Sequence, residues 1–159
     1  MRLVDASSIL WAWDTYPIEQ FPRLWTWMAG LVADQELVLS EANVAEVGHK
    51  SEECARWLRE HDCRRMDVSN GILLEAMRIK GLLGIVGDRY SPKGVDENDL
   101  ICIATAKIHG VALISDEGVQ FSPPGNPANS KIPRVCGMPE VKVHCMSFRE
   151  FLTSSGEVF

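Results

Sequence analysis

Residues 95–117 contain the clearest structural pattern in this chain: a predicted helix that begins with acids and a predicted strand that acids follow. Val95–Ala106 reads VDENDLICIATA, so that three acids come directly before a run of apolar residues. Gly110 has the residue type that commonly follows a helix C-terminus. Leu113–Glu117 reads LISDE, so that two more acids follow a strand-like run. Acids that only solubilise a protein are scattered over exposed faces, whereas these lie at the ends of elements that we expect to be buried.

Short apolar runs alternate with amphipathic segments along the rest of the chain. The predicted strands are Arg2–Val4, Leu37–Leu39, Val111–Ser115 and Val141–Cys145. The predicted helices follow Asp5–Ser8, span Phe21–Val32, run from Ser40 to Lys50, from Ser51 to about His61, from Ile72 to Leu83 and from Asp96 to Gly110, and begin again at Ser147. Residues 122–133 are rich in proline and are predicted to form a long loop without regular structure. The alternation predicts an α/β fold, a single α/β/α sandwich with a short central parallel sheet, over residues 1–159.

Composition narrows the functional class. The formal net charge of −6 argues against simple electrostatic binding to nucleic acid, unless several carboxylates are gathered around divalent cations. No apolar run approaches the ~20 residues of a membrane span. The first strand-like run begins at Arg2, so we expect no signal peptide and a cytoplasmic protein with no membrane partner. Five cysteines, an odd number without a C-x-x-C pair, are expected to be reduced and mostly buried.

Acids from four predicted elements are expected to meet at one edge of the sheet. Asp5 ends the first strand and Asp116 ends the third, and the carboxyl ends of parallel strands lie at the same edge. Asp99 is in the first turn of its helix, and Glu46 is in the second turn of the helix after strand two. Clustered carboxylates repel each other unless a cation compensates them. Oxygen ligands without paired histidine or cysteine favour Mg²⁺ or Mn²⁺, which lower the pKa of a bound water and stabilise charge on a phosphodiester.

Each acid taken alone also has a purely structural explanation. These explanations are Asp5 as a helix N-cap, Asp116 as a turn residue, Glu46 as the ion-pair partner of Lys50, and Asp99 with Asp96 as a capping box. The occurrence of all four in one chain favours the metal site over four coincidences.

The ordered motifs resemble those of PIN-domain ribonucleases, a family that includes VapC-type toxins. The motifs are Val4–Ser7 (VDAS), Val44–Val47 (VAEV), Asp99–Ala106 (DLICIATA) and Ile114–Glu117 (ISDE), and Lys131–Cys136 (KIPRVC) is similar to a segment of prokaryotic toxin-like PIN proteins. The resemblance covers essentially the whole chain in order and spacing. It implies a PIN-like fold.

The resemblance also implies an activity, a cofactor and partners. It implies a Mg²⁺- or Mn²⁺-dependent endoribonuclease, the toxin of a toxin–antitoxin pair, with an antitoxin partner and a homodimer. The implied catalytic and metal-binding acids are Asp5, Glu46, Asp99 and Asp116. Ser7 would support the first aspartate, Asp96 would support Asp99, and Glu117 is the alternative to Asp116 as fourth acid.

Two cations follow the last acidic motif and are candidates for contact with RNA. Lys131 and Arg134 lie in the predicted loop after Asp116, and an acidic cleft that admits RNA needs a basic rim. The alternative to a nuclease is a non-catalytic PIN-like domain that binds RNA or a protein partner.

Overall fold

A five-stranded parallel sheet forms the centre of the molecule, for which a computed structural model describes residues 1–159. The strands are β1 (Arg2–Val4), β2 (Leu37–Ser40), β3 (Arg65–Met66), β4 (Ala112–Ile114) and β5 (Cys145–Met146). Their order in the sheet is β3-β2-β1-β4-β5, and every neighbouring pair is parallel. In this register Val4 at the end of β1 lies beside Ile114 at the end of β4.

Eight α-helices surround the sheet. They are α1 (Ala6–Thr15), α2 (Pro22–Ala33), α3 (Glu41–Lys50), α4 (Glu52–Glu60), α5 (Asn70–Leu82), α6 (Glu97–His109), α7 (Ile132–Cys136) and α8 (Phe148–Ser155). Serine side chains at Ser40, Ser51, Ser69 and Ser147 accept a backbone N–H and cap four of these helices. Gly110 follows α6 with a φ of 63°, in the left-handed region that favours glycine. No helix is both long enough and apolar enough to cross a membrane.

The two faces of the sheet pack against separate apolar clusters. Leu3 belongs to a cluster of 21 buried residues that includes side chains of α5, α6 and α7. Its neighbour Val4 belongs to a second cluster, of 18 buried residues, with side chains of α1–α4 and α8. Successive side chains of a strand point to opposite faces, so each face carries a layer of helices. The predicted α/β/α sandwich with a short parallel sheet is confirmed.

The structure corrects three local predictions. The edge strand β3 was not predicted, because two residues carry no recognisable pattern. The last strand is Cys145–Met146, and residues 141–144 precede it without strand pairing. Residues 122–133 are not wholly irregular, since they contain the 3₁₀ helix Pro127–Asn129 and the beginning of α7. All five cysteines are free, three of them buried, as expected.

The strand order reverses between β1 and β4. From β1 the chain continues outward to β2 and β3, and it then returns to β4 on the other side of β1. Ligands of open α/β sheets bind at the carboxyl ends of the strands where the order reverses in this way. Asp5 and Ser115 are the residues that directly follow β1 and β4.

A close backbone approach at Gly94 positions the start of α6. A Cβ on Gly94 would lie 2.0 Å from the carbonyl oxygen of Ala128. One residue later, the Val95 N–H donates to the Ser130 carbonyl at 2.9 Å. The approach therefore holds the segment before α6 against residues 128–130, and only glycine fits there.

We predict that Gly94→Ala destabilises the fold by at least about 1–3 kcal/mol, the range observed for overpacking, because the clash is with backbone rather than with a flexible side chain. The measurement is the free energy of unfolding in urea. Gly30→Ala is the control, since Gly30 lies within α2 and a Cβ there meets nothing within 4 Å. That variant should be neutral or more stable by about 0.5–1 kcal/mol. Equal stability of Gly94→Ala and wild type would show that the two segments separate freely.

Candidate functional site

Asp5 is a buried carboxylate whose two oxygens have different surroundings. It is 3% exposed and is the N-cap of α1. Its Oδ2 accepts from the Ser7 N–H at 3.2 Å, from the Ser7 hydroxyl, and from the Ser115 hydroxyl at 3.4 Å. Its Oδ1 faces the amide nitrogen of Asn43 at 3.4 Å, a long contact. The predicted N-cap role of Asp5 is confirmed, Ser7 donates to the carboxylate, and Oδ1 is the less engaged oxygen.

Burial raises the pKa of Asp5 to about 6, because a charged carboxylate is costly where water is excluded. The charges of Glu117 and Glu46 raise this pKa further, while the hydrogen bonds from Ser7 lower it. These two glutamates therefore lie close enough to Asp5 for their charges to act on it.

Asp99 is part of a capping box and is also influenced by the charges of the other acids, the two surroundings that the sequence left open. The Asp96 N–H donates to Asp99 Oδ2 at 2.8 Å and the Asp99 N–H donates to Asp96 Oδ1 at 3.0 Å, which is a complete capping box. Burial nevertheless raises the pKa of Asp99 to about 8, and the charges of Asp96, Glu117 and Asp5 act in the same direction. The capping role is confirmed, and it leaves Asp99 within the electrostatic reach of Asp5.

Glu46 forms an ion pair with Lys50. Its Oε1 lies 2.5 Å from the ammonium of Lys50, one helical turn later in α3. The hydrogen bond with Glu46 raises the pKa of Lys50, and the charges of Asp5 and Asp96 contribute. The ammonium of Lys50 therefore lies among the acids of the candidate site.

Asp116 and Glu117, just after β4, accept hydrogen bonds from different helices. Asp116 accepts from the Ser8 hydroxyl of α1 and from the Phe148 N–H, at 3.1 Å, at the N-terminus of α8. Glu117 accepts from the Ile132 N–H at 2.9 Å, at the start of α7, and its charge acts on Asp5 and Asp99. The Glu117 N–H also donates to the Ser115 hydroxyl at 3.4 Å, so the chain turns directly after β4 and the two acids engage different helices.

The acids share an edge of the sheet without forming a closed ligand shell. No three histidine, cysteine, aspartate or glutamate side chains are grouped closely enough to hold a metal ion. The physical reason is that neighbouring carboxylates repel one another, so that each engages the nearest donor. The Lys50 ammonium, the Asp96 N–H and the Ile132 N–H serve in this way.

The two candidate RNA-binding cations lie on α7, not in a loop as predicted. Lys131 is the N-cap residue of α7, and Arg134 is within the helix. The ammonium of Lys131 is 3.5 Å from the position that a Cβ on Gly118 would take, directly after Glu117. Both cations therefore share the short helix whose first N–H binds Glu117.

A cavity of about 690 Å³ begins beside these groups. Its lining includes Ser115, Glu117, Pro133, Cys145 and Arg149.

Asn43 is the site residue for which sequence reasoning had no role. It is 1% exposed, and its amide nitrogen donates to the Val4 carbonyl at 3.2 Å and to the Cys102 sulfur at 3.2 Å. Its Oδ1 is the buried side-chain oxygen without a hydrogen-bond partner. The only available signal was its position three residues before Glu46 on one helical face.

Comparisons with known proteins match the fold and the family. A family model described as Domain of unknown function (DUF4411) matches residues 3–159. A chain in the crystal structure of VapBC2 from Rickettsia felis, bound to a DNA fragment from its promoter, superposes with a TM-score of 0.56. The identity is 14%, over 92% of this chain and 98% of that chain. A chain of a toxin–antitoxin complex from Klebsiella pneumoniae is 18% identical over 80% of this chain and 94% of that chain, with a TM-score of 0.49. A search of the curated proteins found no match.

At this identity the likeness to VapBC2 shows the fold alone. Together with the parallel sheet it confirms the PIN-like fold that the sequence motifs implied.

The raised pKa values of Asp5 and Asp99 predict a pH-dependent stability of the metal-free protein. Between the ordinary aspartate value of 3.8 and values of about 6 and 8, the folded state holds protons that the unfolded chain has released. This contribution to stability is complete below the ordinary pKa and is lost as pH rises through about 6 and then about 8. Asp99→Asn keeps an oxygen for the capping box but cannot titrate. It should therefore lose less stability than wild type as pH rises, by about 1.4 kcal/mol for each unit of pKa difference removed.

The measurement is urea unfolding in EDTA from about pH 5 to about pH 9. Asp88→Asn, at an exposed aspartate, is the control and should follow the wild-type curve. If the curves of Asp99→Asn and wild type run parallel, the proton held by the folded state belongs to another group.

Proposed function

We propose that this chain, which belongs to the family described as Domain of unknown function (DUF4411), is a metal-dependent endoribonuclease that uses Mg²⁺ or Mn²⁺. We further propose that it is the toxin of a toxin–antitoxin pair. The observation that carries the proposal is a carboxylate, that of Asp5, buried at the carboxyl end of β1 and held there by Ser7 and Ser115. Burial raises its pKa and that of Asp99. Two carboxylates whose pKa values are raised toward neutrality are costly for a fold that gains nothing from them.

The donors around Asp5 fit a hard divalent cation. The residues that would hold the ion are the carboxylates of Asp5, Asp99, Glu117 and Glu46, which influence one another electrostatically but do not form a closed shell. Oxygen donors of this kind suit Mg²⁺ or Mn²⁺. When bound, such an ion supplies an acidified water and stabilises charge on a phosphodiester.

The protein's own contribution is to orient these oxygens and to hold the substrate. Ser7 and Ser115 donate to Oδ2 of Asp5, so that Oδ1, which has only a long contact with the Asn43 amide, is the oxygen that would bind the ion. The Asp96 N–H occupies one oxygen of Asp99 in the same way. Lys131 and Arg134, at the N-cap and within α7, would contact the phosphates of an RNA bound at the site.

We assign the role of fourth acid to Glu117 and not to Asp116. The charge of Glu117 acts on both Asp5 and Asp99, whereas Asp116 is engaged by α1 and by the N-terminus of α8. A carboxylate at a helix N-terminus stabilises the helix, which is a sufficient reason for an acid at position 116.

The proposed partners are an RNA substrate, an antitoxin and a second copy of the chain. The likeness of fold to a chain of VapBC2 supports the antitoxin. Exposed apolar side chains on α5, where Leu74 and Met77 are each 67% exposed, support an interface with another protein chain. We propose that residues 1–159 act as one PIN-like domain and that the protein works in the cytoplasm.

A non-catalytic PIN-like domain that binds RNA or protein is the second candidate. The observation in its favour is that the Glu46–Lys50 pair and the Asp96–Asp99 capping box each satisfy an acid without a metal. Cleavage of RNA by the purified chain decides between the two.

We predict that the chain cleaves RNA in Mg²⁺ or Mn²⁺ and stops in EDTA, and that Asp5→Asn and Glu117→Gln lose at least about 10-fold in metal affinity. Asp116→Asn should keep metal affinity and instead lose about 0.3–1 kcal/mol of stability, because a charge is removed from the N-terminus of α8. Cleavage is measured on structured and single-stranded RNA, and Mn²⁺ affinity by titration calorimetry. Cleavage that survives EDTA would overturn the metal mechanism. Loss of affinity in Asp116→Asn but not in Glu117→Gln would return the fourth position to Asp116.

We predict that the double change Lys131→Ala and Arg134→Ala weakens RNA binding and lowers its salt dependence. The logarithmic slope should fall by roughly 0.7 for each phosphate contact with single-stranded RNA that is lost. Metal affinity should change little. The control is the double change Arg23→Ala and Lys80→Ala on α2 and α5, which removes the same charge. An equal loss of slope in both double variants would assign the effect to net charge and not to a binding surface.

A further inference from the structure

We infer that Asn43 is a positioning residue that ties the three acid-bearing elements of the site together, so that the affinity for a divalent cation depends on it. This inference rests on the proposed function. Nothing in the sequence motifs assigns a role to this asparagine.

The amide of Asn43 contacts three groups through one nitrogen. Asn43 is 1% exposed and lies in the first turn of α3. Its Nδ2 lies 3.2 Å from the Val4 carbonyl oxygen, 3.4 Å from Asp5 Oδ1 and 3.2 Å from the Cys102 sulfur. A carbonyl oxygen only accepts hydrogen bonds, so Val4 fixes which end of the amide is the nitrogen.

These contacts join α3, which carries Glu46, and α6, which carries Asp99, to the end of β1, which Asp5 follows. Asn43 precedes Glu46 by three residues on α3, and Cys102 follows Asp99 by three residues on α6. Residues three apart lie on the same face of a helix. One buried amide therefore sets the spacing between the end of β1, the helix of Glu46 and the helix of Asp99.

The oxygen of the same amide, Oδ1, is buried and has no hydrogen-bond partner among the protein atoms. An unpaired buried acceptor is unfavourable unless another group donates to it. The polar amide is therefore kept for the contacts that its nitrogen makes with Val4, Asp5 and Cys102. An asparagine that only filled space would be replaceable by leucine, which has a similar volume and no polar atoms.

The test is the affinity for Mn²⁺ of wild type, Asn43→Leu and Asn43→Ser, measured by titration calorimetry well below the melting temperature. We expect the Kd of Asn43→Leu to rise by about 10–100-fold, the range for residues that orient a metal ligand. Asn43→Ser, whose hydroxyl is too short to span the three contacts, should also bind more weakly. Because only folded protein is titrated, a loss of stability does not mimic the result.

Thr105→Val is the matched control. Thr105 is fully buried in α6, and its hydroxyl donates to the Ile101 carbonyl at 2.7 Å, so the variant also replaces a buried polar group by an apolar one. It should bind Mn²⁺ like wild type. A rise in Kd equal to that of Asn43→Leu would mean that any buried polar loss disturbs the site, and it would overturn the inference.

A measurement on the unaltered chain covers the case in which the variants do not fold. The side-chain amide resonances of Asn43 should shift on titration with Mg²⁺ and saturate together with the backbone amide of Asp5. If wild type binds the ion while these resonances stay unchanged, or while Asn43→Leu binds equally well, the inference fails and the proposed function stands. If wild type binds neither Mn²⁺ nor Mg²⁺, both fail together.

Discussion

The burial of one carboxylate, that of Asp5 at the end of the central strand, is the constraint on which the site depends. Water is almost excluded there, so that the pKa of Asp5 rises to about 6 although three donors contact Oδ2. The donors come from the chain directly after Asp5 and from Ser115 at the end of the neighbouring strand. The pairing of β1 with β4 therefore also brings Ser115 to Asp5, where its hydroxyl helps to orient the carboxylate.

The acids around Asp5 are each stabilised by a local donor, and this explains how the fold tolerates them. A lysine, a capping amide and the first N–H of α7 engage Glu46, Asp99 and Glu117 respectively. Each of these interactions is also an ordinary feature of helices. A divalent cation that binds at this edge therefore competes with Lys50 for Glu46. Its affinity reflects the difference in free energy between Glu46 bound to the ion and Glu46 paired with Lys50.

Most of the fold could be predicted from the sequence, because most of its helices and strands have recognisable local patterns. Alternating apolar runs, serine caps and the glycine after α6 predicted three strands and the main helices close to their observed bounds. The two-residue strand β3 escaped prediction, since its pairing with β2 comes from the approach of separate segments. The prediction of a wholly irregular loop before α7 is wrong because proline, which interrupts the interior of a helix, is favoured in its first turn.

The sequence by itself determined which acids end the elements of the sheet, because residues after parallel strands and in first helical turns share one edge in any such fold. Only the tertiary structure shows which donors two adjacent acids engage. Asp116 and Glu117 differ by one position, and the direction in which each side chain leaves β4 depends on the register with β1 and on the helices packed there. The place of Asn43 depends on α3 and α6 meeting over the end of β1, a contact between segments that lie far apart along the chain.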